Sequence, residues 1–150
     1  MEAKIDAVRV AGTPDGPVGV LVLATDHDID NVLPIFIGLE EATSIAHGLD
    51  AEDIGRPLTH ELLLDVMEEL GGRVEKIVIS DIQDGTYYAD LHIESPRDMV
   101  VVDARPSDAL ALAARVNAPI HIEEGVFADG CRAREELAEL TDIREVTEYA

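Results

Sequence analysis

The stretch from residue 100 to residue 115 constrains the fold most, because it combines a strand, a sharp turn and a helix. Val100 to Val102 form a β-branched run that is short enough to be a buried strand. Ala109 to Ala114 are strong helix formers without a breaker among them. Pro106 suits the first turn of a helix, so the chain is expected to pass from strand to helix within a few residues.

The turn in this stretch carries four polar residues, and their role has two interpretations. They are Asp103, Arg105, Ser107 and Asp108. In the structural interpretation, Ser107 caps the helix and Asp108 matches the positive end of its dipole. Asp103 then ties the turn by pairing with Arg105. In the functional interpretation the four residues form a site, since polar groups gathered where a strand ends are a usual layout of one. Both interpretations stay open on this stretch alone.

The order of predicted elements indicates an α+β fold. Asp84-Gly85 is a strong two-residue hairpin signal between apolar strands at 74–82 and 86–93. The strand at 99–102 follows them and completes a β-meander. Earlier strands and about three packed helices complete the pattern, which predicts a mostly antiparallel or mixed sheet.

A helix is predicted to start near Thr59, which we interpret as its N-cap. His60 then lies in the first, exposed turn, where it is either a surface residue or a general base or ligand. Apolar side chains recur at helical spacing and are expected to be buried. They are Leu62, Leu63, Val66, Met67 and Leu70.

The length of 150 residues corresponds to one domain. We assign residues 1–125 to that domain and residues 126–150 to an acidic helical extension packed on it. Hydrophobic residues make up 47% of the chain, which excludes a disordered protein. No apolar run approaches the roughly 18 residues of a membrane span. The N-terminus lacks signal-peptide features and Cys131 is the single cysteine, so we expect a cytoplasmic protein.

The charge balance is strongly acidic. Asp and Glu number 32 against 11 Lys and Arg, which gives a formal net charge of -21. The acidic residues are scattered through periodic segments, so they do not form a tail. We interpret them as a halophile's means of staying in solution, because concentrated salt screens the repulsion. In that setting, net charge excludes nucleic acid as a partner less firmly than usual.

Familiar enzyme motifs are absent from the sequence, including Gly-rich phosphate loops, HExxH and paired cysteines. What remains is a set of short polar clusters beside the starts of helices. They are Glu40 and Glu41; Arg56, His60 and Glu61; and the four turn residues around Asp108. If the fold gathers them, they offer carboxylates for a divalent cation, a histidine for proton transfer and arginines for a phosphate.

Three blocks of the chain resemble the signature blocks of the bifunctional nuclease domain family. They are residues 33–38 followed by Glu41-Ala42, residues 56–62 (Arg-Pro-Leu-Thr-His-Glu-Leu), and residues 103–113. Ala118-Pro119-Ile120 is similar to the closing strand of the family. The resemblance covers approximately residues 1–125 in consistent order. It implies an α+β fold, a homo-oligomeric cytosolic protein, and cleavage of both DNA and RNA.

On this resemblance we assign hypothetical roles to the polar residues. Asp103 and Asp108 would hold a magnesium or manganese ion, and His60 would activate water. Arg56 and Arg105 would hold the scissile phosphate, with Glu41 as a further catalytic carboxylate. Thr59 and Ser107 are expected to be structural or capping residues.

Two other classes of function stay open. In the first, the protein is a non-catalytic oligomeric binding or regulatory module whose Arg–carboxylate pairs join subunits. The scarcity of basic and aromatic residues favours that interpretation, since nucleic-acid surfaces use both. In the second, the protein is a regulator that binds a small ligand or a metal.

Overall fold

The computed structural model describes residues 1–50 and 59–147. The described part contains nine strands and six helices. The strands are β1 (Glu2–Thr13), β2 (Gly16–Thr25), β3 (Asp28–Ile37), β4 (Arg73–Gln83), β5 (Thr86–Glu94), β6 (Met99–Ala104), β7 (Ile120–Ile122), β8 (Arg132–Ala133) and β9 (Thr141–Asp142). The helices are α1 (Leu39–Leu49), α2 (Thr59–Glu69), α3 (Pro106–Val116), α4 (Glu124–Gly130), α5 (Arg134–Ala138) and α6 (Ile143–Thr147).

All nine strands belong to one open sheet of mixed direction. Its order is β6-β5-β4-β7-β1-β2-β3-β8, and β9 pairs with β1 beside that path. Each adjacent pair is antiparallel except β4 and β7, which run parallel. The predicted α+β fold is confirmed. The short β7 joins the meander half of the sheet to the half that contains β1, β2 and β3.

The β4–β5 hairpin turns at Asp84 and Gly85, as the sequence predicts. Both residues have positive φ, 52° for Asp84 and 81° for Gly85. Two successive left-handed residues match the twist of the flanking strands, and Gly accepts this conformation without the steric cost of a Cβ. β6 then pairs with β5 from Glu94↔Met99 to Ala89↔Ala104, which confirms the meander.

Two helices, α1 and α3, cover the central part of the sheet. Ala109 to Ala113 of α3 are buried, and so are Ala42 and Ile45 of α1. Gly19 of β2 allows α1 to approach closely, because a Cβ at Gly19 would collide with the Cβ of Ala42. Each large apolar side chain buried here stabilises the fold by about 1.5–3 kcal/mol. This packing fixes the ends of α1 and α3, where the candidate site lies.

Two predictions of burial are wrong. No described residue of α2 is buried, and Leu62, Leu63, Val66 and Leu70 are all exposed. Val100 to Val102 are also exposed, because β6 is an edge strand rather than a central one. Leu64, which the predicted stripe leaves out, packs against the core instead. Helical spacing groups apolar side chains by face, but it carries no information on which face another element covers.

The last part of the chain contributes to the same core and sheet. Val126 and Phe127 of α4 pack in the main core, and Ile143 of α6 is buried in the same core. β8 pairs with β3, and β9 pairs with β1. The division at residue 125 stays a prediction. Among residues 1–50 and 59–147, none of the helices has the length and apolar character required to cross a bilayer.

Candidate functional site

The strand-to-helix turn at β6 and α3 presents the candidate site. β6 ends at Ala104, Arg105 is the N-cap of α3 in extended conformation, and Pro106 is its first residue. The helix therefore starts earlier than a Ser107 cap requires, which makes that prediction wrong. Ser107 lies in the first turn and is 5% exposed, so its position is a buried structural one.

Four side chains from three helices meet at this turn, and we call Glu41, His60, Arg105 and Asp108 the Asp108 cluster. Arg105 donates to Asp108 through two nitrogens, Nε to Oδ2 at 2.8 Å and Nη2 to Oδ1 at 3.1 Å. Arg105 Nη1 also lies 3.2 Å from Glu41 Oε1. His60 Nε2 lies 3.0 Å from Asp108 Oδ1. The structure thus joins α1, α2 and α3 through one carboxylate and one guanidinium.

Pairing within the cluster shifts the pKa values of Asp108 and Arg105. The hydrogen bonds from Arg105 lower the pKa of Asp108, with a smaller contribution from His60, although partial burial opposes the shift. The same pairing raises the pKa of Arg105. Asp108 is therefore an ionised acceptor at neutral pH, so the His60 contact requires a proton on Nε2. In the neutral imidazole this leaves Nδ1 with a free lone pair, which can accept a proton.

Asp103 and Thr59 are further predicted site residues that the structure describes. Asp103 pairs across the β5–β6 ladder with Asp90, and Arg105 pairs with Asp108 and Glu41 instead of tying the turn through Asp103. Thr59 is the first described residue of α2. Arg56 lies outside the described residues.

A cleft of about 650 Å³ lies beside the cluster, and strands from both halves of the sheet line it. β3 supplies Phe36 near one end of the sheet order, and β5 supplies Tyr87 and Tyr88 near the other. Glu41, Asp103 and Arg105 line the same cleft. A pocket of this size can hold a ligand as large as a nucleotide.

Sequence reasoning missed the aromatic residues of the cleft. The chain has three Tyr, two Phe and no Trp, and Phe36, Tyr87 and Tyr88 are three of those five rings. Tyr87 packs against the core, and burial raises the pKa of its hydroxyl. The concentration of rings depends on β3 and β5 coming together. The local signal was limited to a Tyr-Tyr pair directly after a hairpin turn.

The described carboxylates do not fit a resident divalent metal. No group of three His, Cys, Asp or Glu side chains within residues 1–50 and 59–147 has the arrangement of a metal site. Both oxygens of Asp108 already accept hydrogen bonds from Arg105, and one also contacts His60. The predicted pairing of Asp103 with Asp108 as ligands therefore lacks support from the geometry.

A second Arg–carboxylate pair lies further along α3. Arg115 Nη1 is 2.8 Å from Glu61 Oε1, with side-chain exposures of 11% and 28%. Within the part of the chain that the structure describes, Arg115 Nε and Nη2 have no hydrogen-bond partner despite their burial. This pair joins α2 to α3 in a partly desolvated setting and does not line the cleft.

Comparison with known proteins identifies the family of this chain. The model of the bifunctional nuclease domain matches residues 21–133, which include all four members of the Asp108 cluster. The chain belongs to the bifunctional nuclease domain family. The resemblance of the three sequence blocks is thereby confirmed, and the matched range also includes the aromatic residues of the cleft.

Relatives of this bifunctional nuclease domain occur in bacteria and plants. An uncharacterized protein of Mycobacterium tuberculosis is 39% identical over 127 residues, which are 85% of this chain and 74% of the relative. Bifunctional nuclease 2 of Arabidopsis thaliana is 25% identical over 120 residues, which are 77% of this chain and 36% of the relative. Bifunctional nuclease 2 of Oryza sativa is 24% identical, covering 79% of this chain and 38% of the relative. The plant proteins are thus much longer than the region they share with this chain.

Proposed function

We propose that the protein hydrolyses phosphodiester bonds of DNA or RNA at the Asp108 cluster. The observation that carries the proposal is that Asp108 accepts hydrogen bonds from both His60 and Arg105, and Arg105 lines the cleft. Membership of the bifunctional nuclease domain family and the names of the plant relatives support the reaction class.

His60 is proposed as the general base. Asp108 holds its Nε2–H and leaves Nδ1 free to take a proton from an attacking water molecule. The water oxygen forms a bond to phosphorus while the bond from phosphorus to the leaving sugar oxygen breaks, and the leaving oxygen takes up a proton from solvent. Because water is the nucleophile, this route does not require a 2′-hydroxyl group and suits both DNA and RNA.

Arg105 is proposed to hold the scissile phosphate. Its contacts with Asp108 and Glu41 use three nitrogens, which leaves two of the five N–H donors of a guanidinium for phosphate oxygens. Its side chain is 67% exposed, so a strand in the cleft can reach it. Glu41 positions Arg105 through their ion pair. Asp103 lines the cleft. Its catalytic role and the phosphate role of Arg56 stay predictions.

A dependence on magnesium or manganese also stays a prediction. No step above passes through a metal, since the described carboxylates do not form a resident site. Magnesium often binds through one or two carboxylates together with phosphate oxygens of the substrate. Cleavage assays with either ion and with a chelator test whether the substrate brings a metal with it.

The test is cleavage of labelled DNA and RNA oligonucleotides in concentrated salt by the parent and Asp108→Asn. We expect a loss of about 100-fold or more, because Asn cannot carry the charge that orients and stabilises His60. Asp26→Asn is the matched control. Asp26 lies at the far end of β2 from Val18 of the cleft, about 25 Å away at the usual rise per strand residue. Equal cleavage by all three proteins, or none by the parent, would refute the proposal.

A non-catalytic oligomeric module is the second candidate, and the exposed apolar faces favour it. Leu62, Leu63 and Val66 of α2 and the valines of β6 are at least 42% exposed. Edge strands and apolar helix faces of this kind commonly associate with another chain.

Self-association is tested by light scattering after gel filtration. For a homo-oligomer, Val66→Glu is expected to lower the particle mass, whereas Ile29→Glu at a distant exposed apolar position leaves it unchanged. A parent mass equal to one 16.2 kDa chain would contradict self-association.

A further inference from the structure

The aromatic rings of the cleft form a surface distinct from the Asp108 cluster, and the hydrolysis proposed above does not use them. Phe36 is 63% exposed and Tyr88 is 40% exposed. The chain has a net charge of -21, so most of its surface is expected to be acidic. Two solvent-exposed aromatic rings are unusual on such a surface. Their common position in one cleft makes a ligand the simplest reason for that exposure.

Paired strands position the backbone that carries these rings. Phe36 lies in β3, where it pairs with Val20 of β2, and Tyr88 lies in β5, where it pairs with Asp81 of β4. These backbone ladders restrict the main chain that carries both rings before any ligand arrives, which limits the ordering that binding requires.

Tyr87 packs against the core on the face of β5 opposite to that of Tyr88. Side chains alternate along a strand, and Tyr87 is the half-buried neighbour of the exposed Tyr88. Gly130 makes room for Tyr87, because an added Cβ there would collide with the Tyr87 hydroxyl and lie 2.8 Å from Leu33 Cδ1. Gly130 of α4 therefore lies close to both Tyr87 of β5 and Leu33 of β3.

We infer that Phe36 and Tyr88 form a stacking platform for an unpaired nucleobase, so that the protein selects single-stranded nucleic acid. This inference rests on the proposed function for the identity of the ligand. Aromatic rings stack on any base, because every base has a π face. Inside a duplex the faces of a base are covered by its neighbours, so a platform on the protein can receive only a base that has left the stack.

The charge of the cleft agrees with stacking as a main source of affinity. Glu41 and Asp103 line it together with Arg105, so its carboxylates outnumber its cations. A nucleic acid cannot be held here by phosphate attraction alone, since that attraction requires an excess of Lys and Arg. Stacking between flat apolar surfaces persists in concentrated salt, whereas phosphate contacts weaken.

The test is fluorescence anisotropy with a labelled single strand of mixed sequence, an abasic strand of the same length and a duplex. Binding is measured in concentrated KCl with a chelator. We expect the single strand to bind at least tenfold more tightly than the other two. Phe36→Leu and Tyr88→Leu should each weaken its binding by about 5- to 150-fold, as expected for the loss of one stacked ring.

Control variants separate the ring from other properties of the side chain. Tyr88→Phe keeps the ring and should bind as the parent does, and Ile29→Ser removes an exposed apolar side chain outside the cleft without effect. Equal binding of abasic and normal strands, or unchanged binding by both Leu variants, would overturn the inference. A mononucleotide that binds as tightly as the strand would overturn the assignment to strands.

These outcomes are distinct from a failure of the proposed hydrolysis. Binding is measured without cleavage, so ring-dependent binding by a protein that cuts nothing would refute only the nuclease. Cleavage that does not depend on either ring would refute only the platform.

Discussion

Helix α3 carries two Arg–carboxylate pairs that share their chemistry and differ in their surroundings. Near its start, Arg105 is 67% exposed and contacts Asp108 and Glu41 at the edge of the cleft. Near its end, Arg115 is 11% exposed and contacts Glu61. Both pairs bring together α3 and its neighbours. Only the first borders a space that a substrate can enter.

The difference in solvent exposure shows how one type of ion pair can have a structural role at one position and a chemical role at another. An exposed ion pair contributes little to stability, typically 0–1 kcal/mol, because water and salt screen it. A desolvated pair gives a large penalty when one partner is removed, since the other charge stays buried without compensation. We therefore expect the Glu61–Arg115 pair to stabilise the packing of α2 against α3. We expect the Asp108 cluster to contribute little to stability and to take part in the reaction.

The largest expected effect on stability is that of Arg115→Met. The substitution leaves Glu61 with a buried Oε1 and no cation beside it. The free energy of unfolding should therefore fall by about 3 kcal/mol. This is the lower end of the range for a broken buried pair, because Glu61 is partly exposed. Urea denaturation in constant salt measures it. The double variant Glu61→Leu with Arg115→Met should recover most of the loss. If Arg115→Met alone lowered the free energy of unfolding by less than about 1 kcal/mol, the Glu61–Arg115 pair would contribute no more to stability than an exposed pair does.

Arg105→Met is the matched substitution at the exposed pair. Stability should change by less than about 1 kcal/mol, because water replaces the lost contacts. Cleavage should fall by about 10- to 100-fold, since the phosphate loses its cation. The same denaturation series and an oligonucleotide assay provide both numbers. A stability loss equal to that of Arg115→Met would show that both pairs are structural.

The smallest expected effect is the pH dependence contributed by Asp108. Its pKa is lowered in the folded protein, so its contribution is fully present above the ordinary carboxyl value near pH 4 and disappears as pH falls through the folded value. The stability difference between the parent and Asp108→Asn should therefore shrink on acidification. We expect less than about 1 kcal/mol, because the pair is exposed. A difference that grows toward low pH would contradict the assigned ionisation.

Local chemistry made some features predictable from the sequence. The Asp84-Gly85 turn requires left-handed backbone at both positions, and few other dipeptides accept it. The run of alanines and leucines in α3 favours a helix whatever surrounds it. The polar residues around Asp108 could be recognised as a candidate site because they lie together in sequence.

Other features depend on contacts between distant parts of the chain and could not be predicted. His60 and Asp108 are 48 positions apart, and their contact depends on how α2 lies beside α3. The aromatic cleft exists because the sheet brings β3 near β5, which are not adjacent in its order. The exposure of α2 and β6 depends on what covers them, and a hydrophobic pattern carries no such information.

The most direct test of the central claim compares two adjacent residues of α2 in both activity and stability. His60→Gln keeps a donor for Asp108 and removes the base, whereas Glu61→Gln keeps the shape of Glu61 and removes the charge that faces Arg115. We predict that His60→Gln lowers oligonucleotide cleavage by about 100-fold or more with nearly unchanged stability. Glu61→Gln should lose about 2 kcal/mol of stability, with unchanged cleavage per folded molecule. Full cleavage by folded His60→Gln would contradict the account.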